Sequence, residues 1–441
     1  MAFSSSSVLA FLLRLAPARR YRVALSGGLD SSVLLYALAA ERAVLPGELT
    51  AVHVHHGLHK DADAWQAACE RTCRALSISL ESRRVTVSPG KGESLEAIAR
   101  EQRYTVFRER MQPGDALLLA HHADDQAETF LLQALRGAGV RGLAAMPERA
   151  DFAGGSLLRP LLPFTRADLE DWARSHGLEW NEDPSNADRG FDRNYLRHEV
   201  MPALKRRWPA AAHTLSRAAR HSAEAEAVVQ VLAAEDWQRY GAGETLPVQA
   251  LTALPEPRAR QLLRHWIHLR GLPLPPSIKL SEILLQAQAA EDRNPCVDWE
   301  GAEVRRYADQ LFALRPLPAP PGEFQLRPGS FEDLGSGLGA LGLVPAAGEG
   351  IRAALCGPAG FRVAFRSGGE SCQPTGRAHG RPLKKWLQEM HVFPWLRDRL
   401  PLVYSGEDLL AVAGLFACEP YAARPGEAGL RIEWREHPPL H

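Results

Sequence analysis

Residues 22–31 read Arg-Val-Ala-Leu-Ser-Gly-Gly-Leu-Asp-Ser, a combination suited to phosphate chemistry. Ser26, Gly27, Gly28, Leu29, Asp30 and Ser31 make a small turn between an apolar run (Val23, Ala24, Leu25) and a helix-like run from Ser31 to Leu38. Glycines let backbone N–H groups close on an anion, and a helix N-terminus adds roughly half a positive charge. An aspartate beside a phosphate calls for a bridging cation, which assigns Asp30 to Mg²⁺. No lysine precedes the second serine, so the loop is not GxxxxGK[ST]. A plain turn would explain the glycines but not the three hydroxyls and the acid around them.

His121-His122-Ala123-Asp124-Asp125-Gln126-Ala127-Glu128-Thr129 is the second chemical signal. One aspartate at a helix start is an ordinary cap. Asp125 and Glu128, three apart, share a helical face and suit an ammonium group or Mg²⁺. His53, His55, His56 and His59 crowd the end of an apolar run. Strand alternation puts His53 and His55 on one side and His56 on the other. With no matching acids or thiols, hydrogen bonds to a purine or ribose fit better than a transition metal.

Asn181-Glu182-Asp183-Pro184-Ser185-Asn186 opens a segment with Arg189, Arg193 and Arg197 at four-residue steps. On a helix these make a stripe suited to phosphates. Glu96, Arg100 and Arg103 alone read as a solvated ion-pair face. Gly137 to Gly142 is a formal GxGxxG but follows a helix, which fails the dinucleotide-fold test. Residues 376–399 hold Arg377, Arg381, Lys384, Lys385, Arg397 and Arg399 against Glu389 and Asp398, with Trp386, Phe393 and Trp395 interleaved. RNA contacts and a small core with a basic rim explain that pattern equally well.

These residues need a scaffold. Strand-like runs at 22–25, 49–54, 78–80 with 85–87, and 116–120 alternate with helix-like runs at 32–42, 62–76, 94–111, 125–136 and 166–176. The fold class is therefore α/β, an N-terminal Rossmann-like parallel sheet with helices on both faces. The Ser-Gly-Gly turn, His53–Gly57 and His121–Asp125 all fall at carboxyl ends of strands, where such sheets bind ligands. Residues 209–320 read as a helical domain, 321–350 as a linker whose 335–350 stretch holds six glycines, and 351–441 as a small α+β domain. At 441 residues several domains are expected. Balanced charge, 52 basic against 52 acidic residues, leaves nucleic-acid binding to local distribution. The six scattered cysteines suit a reducing compartment, and Cys69 and Cys73, four apart, read as half-buried helix thiols. No apolar run approaches the roughly 20 residues of a membrane span, and no basic region precedes the apolar N-terminus, so a cytoplasmic protein with no membrane partner is expected.

Together the segments Ser26–Ser32, His53–Leu58, Glu96–Tyr104, His121–Gly139, Asn181–Asn186 with Arg193–Arg197, and Arg381–Arg399 resemble the tRNA(Ile)-lysidine synthetases. These belong to the N-type ATP pyrophosphatase (PP-loop) superfamily. The resemblance implies a PP-loop catalytic domain over 1–208 and tRNA-binding domains over 209–320 and 351–441. It implies that ATP, with Mg²⁺ at Asp30, adenylylates the C2 oxygen of the wobble cytidine in a tRNA(Ile) with anticodon CAU. Free L-lysine then displaces AMP, and the product reads AUA rather than AUG. Ser26 to Ser31 and His53 would bind ATP, and Asp30, Asp125 and Glu128 would serve catalysis. Asp125, Glu128 and Arg193 would hold lysine. Arg197, Arg381, Lys384, Lys385 and Arg397 would meet tRNA, and a homodimer is allowed for. The family often has Asn and Arg where this chain has His55 and His59. A thiolation enzyme would need a thiol at the strand ends, where Cys69 and Cys73 are not expected. A small-metabolite ligase would not need the basic C-terminal region, and a tRNA binder without catalysis would not need three acids in one crevice.

Overall fold

Short apolar runs separated by amphipathic ones give the first unit its alternating elements. The structure is a computed structural model that describes residues 3–15, 17–86, 95–184, 188–288, 294–335 and 337–441. It divides into two compact units, Met1–Val229 and Gln230–His441. In chain order the first holds α1 (Ser5–Leu15), β1 (Arg20–Ala24), α2 (Leu29–Ala40), β2 (Glu48–His55), α3 (Ala62–Ala75), β3 (Ser79–Arg84), α4 (Leu95–Arg110) and β4 (Asp115–Leu118). There follow α5 (Ala123–Leu135), α6 (Val140–Leu143), β5 (Arg149–Phe152), β6 (Gly155–Leu158), α7 (Arg166–Ser175), α8 (Asp192–Tyr195) and α9 (Met201–Arg207). The long helix α10 (Ala211–Tyr240) runs on into the second unit.

The sheet order is β3-β2-β1-β4-β6-β5, parallel throughout except β5, which runs antiparallel to β6. Alternation sends Ala116 and Leu118 to a core with Val8, Leu34, Leu38 and Leu169, while Leu117 and Leu119 meet Val106 and Phe107 of α4. Helices therefore cover both faces, as the alternating pattern predicts. Eight of the twelve residues of α2 are buried, the signature of a helix covered nearly all round. The β5–β6 hairpin departs from expectation, and β3 is one strand where two runs were read; Val87 of the second lies outside the described residues.

The reading of 209–320 as helical is corrected in its second half. Helices α11 (Val248–Ala253), α12 (Glu256–Leu269) and α13 (Ser277–Ala287) pack on an antiparallel sheet of order β7-β10-β9-β8. Its strands are β7 (Leu246–Pro247), β8 (Cys296–Trp299), β9 (Ala302–Tyr307) and β10 (Gln310–Leu314). Val297, Val304 and Leu311 close one core with Leu262 and Trp266.

The linker expected over 321–350 is also corrected. Strands Phe324–Leu326, Phe331–Asp333 and Ala340–Ala347 lie within it. The last pairs over all eight residues with Ala428–Arg435. Its glycines serve close packing. A Cβ on Gly342 would sit 2.4 Å from the Phe331 ring, and one on Gly350 would sit 2.1 Å from the Leu430 carbonyl oxygen.

Candidate active site

The sheet order changes direction at β1, with β2 on one side and β4 on the other. Ligand crevices of open α/β sheets form at such points, beyond the strand carboxyl ends. Here the crevice receives the Ser26–Ser31 loop and the start of α5.

The loop is held by its own serines. The Ser26 N–H donates to Ser31 Oγ at 3.2 Å, and the Ser31 hydroxyl donates to the Gly28 carbonyl at 3.1 Å. Gly27 has φ +84°, the left-handed region, and a Cβ there would lie 3.0 Å from both Asn181 Nδ2 and Cys69 Sγ. Its carbonyl accepts the Asn181 N–H at 2.9 Å, which docks the start of the 181–186 segment on the loop; residues 185 and 186 lie outside the described residues. Gly28 gives α2 no side-chain cap, so the first N–H groups of the helix have no helical partner and suit an anion.

His53 lies beneath this loop rather than in its mouth. It is buried, and its Nδ1–H donates to the Leu25 carbonyl at 2.8 Å. Burial pushes its pKa down, which keeps the ring neutral. Cys69 Sγ lies 3.7 Å from that Nδ1, nearer the loop than its mid-helix position suggests. Burial raises the Cys69 thiol to about 12 and the Cys73 thiol to about 11, which disfavours the thiolate at both. The other histidines disperse. His55 Nε2 meets Asp63 at 3.1 Å, and His59 stacks on Trp65 at 4.8 Å.

Asp30 stands at the second position of α2. Its Oδ1 is buried without a hydrogen-bond partner among the described residues, and its Oδ2 is 3.7 Å from His122 Nε2. Burial raises its pKa, and His122 only partly opposes that. An orphaned, hard carboxylate oxygen beside a phosphate loop fits Mg²⁺, which binds through one or two carboxylates plus phosphates. A proton competes with the cation for this group. If Asp30 holds Mg²⁺, the Mg²⁺ concentration needed for half-maximal occupancy should rise as pH falls, beginning above the pH range of an ordinary aspartate. Mg²⁺ binding titrated from pH 8 to pH 5 in the presence of ATP checks this, and a pH-independent affinity would show that Asp30 holds no cation.

His122 caps α5. Its Nδ1 accepts the Asp125 N–H at 3.4 Å, and its own N–H donates to Asp125 Oδ2 at 3.1 Å. Its Nε2 then faces two acids, Asp30 at 3.7 Å and Asp125 at 3.4 Å. The composition of this segment marked acids and imidazoles, but not that one ring joins the two halves of the site. Asp124 has a different task. It accepts the Arg166 N–H at the start of α7 at 2.8 Å and the Lys205 ammonium of α9 at 2.5 Å. Burial opposes its ionisation, and the Lys205 bond overcomes that.

Asp125 and Glu128 share a face as the spacing predicts, and both are buried. Their partners are the arginines read as a stripe. Arg193 reaches Asp125 at 3.1 Å and Glu128 at 2.9 Å. Arg197 reaches them at 2.9 Å and 2.7 Å. Burial opposes ionisation of Asp125, but His122 and then Arg193 hold its carboxyl well below the usual range. Burial likewise opposes the charge on Arg197, and its bond to Glu128 reverses this and raises its pKa. Two anions and two cations form a neutral block. Arg189 pairs elsewhere, with Glu199 at 2.6 Å, so no stripe of one sign exists. The backbone explains why: Arg189 precedes α8, and residues Leu196–Val200 form a π-turn that breaks the four-residue register.

In the second unit Trp386 and Trp395 belong to the core and Phe393 packs against it, which corrects the stacking reading for these rings. Arg377 and Arg381 reach Glu389 at 2.8 and 3.0 Å, and Arg381 lies 3.9 Å over the Trp386 ring. Arg397 turns inward to the Val392 carbonyl at 2.9 Å, and burial lowers its pKa. Lys384 and Lys385 remain exposed on one short helix.

Comparison with known proteins covers most of the chain. A PP-loop domain profile matches residues 4–204, a TilS substrate binding domain 246–312, and a TilS substrate C-terminal domain 361–434. The tRNA(Ile)-lysidine synthase of Alkalilimnicola ehrlichii is 44% identical over 96% of this chain and 95% of its own length. That of Coxiella burnetii is 40% identical over 98% and 96%. That of Escherichia coli O157:H7 is 40% identical over 96% and 98%.

Proposed function

The chain belongs to the tRNA(Ile)-lysidine synthase family, an ATP-dependent ligase family, and from that membership we propose how its residues divide the reaction. The observation that carries the reading is His122, whose Nε2 lies 3.7 Å from Asp30 in the phosphate loop and 3.4 Å from Asp125 in the acid pair. One imidazole thus spans the place where ATP is opened and the place where an amine would arrive.

In the first step the loop from Ser26 to Ser31, with Leu29 at the helix start, holds the ATP phosphates through backbone N–H groups and hydroxyls. His53 keeps that loop in place from below through the Leu25 carbonyl. Asp30 would hold Mg²⁺, which supplies positive charge to the departing pyrophosphate. The C2 oxygen of the wobble cytidine in the CAU anticodon takes the adenylyl group. In the second step the amino group of free L-lysine, its ammonium proton given up to solvent, attacks C2; the bond from C2 to the adenylyl oxygen breaks and AMP leaves. Asp125 and Glu128 receive the lysine ammonium in competition with Arg193 and Arg197, and Arg193 stays beside the bound lysine. Asp125, held strongly ionised, is a poor proton acceptor and works by orientation and charge. Arg197, once displaced, is available to a tRNA phosphate.

The regions 209–320 and 351–441 carry tRNA, with Arg381, Lys384 and Lys385 as phosphate contacts; Arg397, turned to Val392, supports the core under them. No described helix is long and apolar enough to cross a membrane, and we assign the enzyme to the cytoplasm, where its tRNA is. The test incubates protein with ATP, Mg²⁺, labelled lysine and unmodified tRNA(Ile) bearing CAU, with methionine tRNA as control. Label on the isoleucine tRNA alone supports the reading; release of AMP without lysine incorporation would refute it. In the same assay the double variant Lys384→Glu, Lys385→Glu should raise the KM for tRNA about tenfold, since each phosphate contact is electrostatic. The effect should shrink as salt rises, with the KM for ATP unchanged.

A further inference from the structure

A wobble cytidine in the crevice leaves its neighbouring nucleotides on the rim, which must offer cations to their phosphates and a flat surface to their bases. The elbow between α9 and α10 has the composition for both. Residues 200–223 hold Lys205, Arg206, Arg207, Arg217 and Arg220 with no acid, in a chain with equal numbers of acids and bases. All five are exposed. Lys205 bonds Asp124, and Arg220 lies 3.8 Å from Glu224. Arg206, Arg207 and Arg217 make no hydrogen bond or ion pair with any of the described residues. His213, Arg217 and Arg220, at i, i+4 and i+7, share one exposed face of α10.

Trp208 stands between the two groups of cations. Of the ten tryptophans, all among the described residues, it alone is exposed, at 60%. Its backbone is fixed on both sides. The Trp208 N–H donates to the Leu204 carbonyl at 2.8 Å, and its carbonyl accepts the Ala211 N–H at 2.9 Å. The elbow also stands beside the crevice. Met201 and Leu204 of α9 and Ala212 and Leu215 of α10 pack with Ala127 and Leu131 of α5. Lys205 reaches Asp124 at the start of α5, and Trp208 is three residues further on, less than one helical turn. Cations in the last turn of a helix complement its dipole, which accounts for Lys205, Arg206 and Arg207. It accounts neither for Arg217 and Arg220 on the next helix nor for an indole left in water.

We propose that the α9–α10 elbow seats the anticodon loop on the catalytic unit. Trp208 stacks on a base beside the wobble cytidine, and Arg206, Arg207 and Arg217 pair with the flanking phosphates. The assignment rests on the ligase reading above. Every base has a π-face, so this contact positions the loop without reading its sequence.

The test measures binding of whole tRNA(Ile), and of an RNA hairpin carrying its anticodon arm, to the full-length protein over a range of salt. Wild type is compared with Trp208→Ala, Trp208→Phe, Arg207→Gln and Arg217→Gln. Trp208→Ala should weaken binding of both RNAs about 5- to 100-fold, the worth of one base–aromatic stack, with the salt dependence unchanged. Trp208→Phe should recover most of that loss. Each arginine variant should weaken binding and flatten the slope of log affinity against log salt by roughly 0.7 to 1, the share of one phosphate. In adenylylation all four variants should raise the KM for tRNA and leave the KM for ATP unchanged. A Trp208→Ala protein that binds RNA like the wild type would overturn the proposal, as would arginine variants with an unaltered salt slope. Equal losses in Trp208→Ala and Trp208→Phe, or a KM for ATP that rises in step, would overturn it too, since stacking predicts neither. Each of these outcomes leaves the ligase reading intact. A wild type that adenylylates no tRNA would overturn that reading instead.

Discussion

Asp30→Asn should stop both half-reactions, lowering tRNA adenylylation by about 10³-fold or more while the protein stays folded. The size follows from charge placed where the transition state needs it; loss of one such electrostatic group typically costs 10²–10³ in rate, and loss of the cation it holds adds to that. Stability should not suffer. The Asp30 carboxylate makes no hydrogen bond through Oδ1 and is buried enough that its pKa is raised, so the folded state disfavours its charge. By linkage, a carboxyl raised in the folded state weakens the fold once pH exceeds its unfolded pKa, and the neutral amide removes that penalty. The variant should therefore be at least as stable at pH 7 by urea titration. An Asp30→Asn enzyme that still formed adenylylated tRNA at near wild-type rate would remove Asp30 from the mechanism.

Glu128→Gln should separate the two steps. ATP and tRNA do not touch the acid pair in the proposed scheme, so adenylylation should persist. Capture of the amine should fail, with the KM for lysine up by about 100-fold and adenylylated tRNA accumulating. One charge-assisted contact accounts for roughly 1.5–3 kcal/mol of that, and each 1.4 kcal/mol is a factor of ten. There is also a folding cost, because Arg193 and Arg197 lose a shared anion. Their side chains keep 30% and 23% exposure, so water recovers part of it and the loss falls short of the ~3–5 kcal/mol of a fully buried pair. Quenched time courses that follow AMP-bound and lysine-bound tRNA separately decide the matter. A parallel loss of both signals would show Glu128 acting before lysine arrives.

The catalytic half of the protein was legible because its chemistry is local. A turn of serines and glycines with Asp30, and a helix start with Asp125 and Glu128, are runs of under ten residues whose spacing already sets their geometry. What escaped depends on partners far away in the chain. Nothing near Arg193 announces that it will neutralise Glu128, 65 positions back. The middle sheet escaped because β8 to β10 are short and carry charges such as Glu303 and Arg305, which pair with each other at 2.7 Å and hide the alternation. Composition misled most at 335–350. Glycine marks both slack chain and tight packing, and only the Phe331 ring over Gly342 tells the two apart.

Asp124 and Asp125 are adjacent and chemically identical, yet their loss should give two kinds of defect. Asp124 ties the start of α5 to α7 through the Arg166 N–H and to α9 through Lys205, while Asp125 faces the crevice. In a genetic screen, alleles at position 124 would be conditional, failing on warming as three helices loosen and recovering on cooling or with a compensating contact. Alleles at position 125 would stay defective at every temperature, because cooling restores the fold but not the carboxylate facing the crevice. Two neighbouring codons would thus fall into separate complementation behaviours, one rescued by overproducing the protein and the other not.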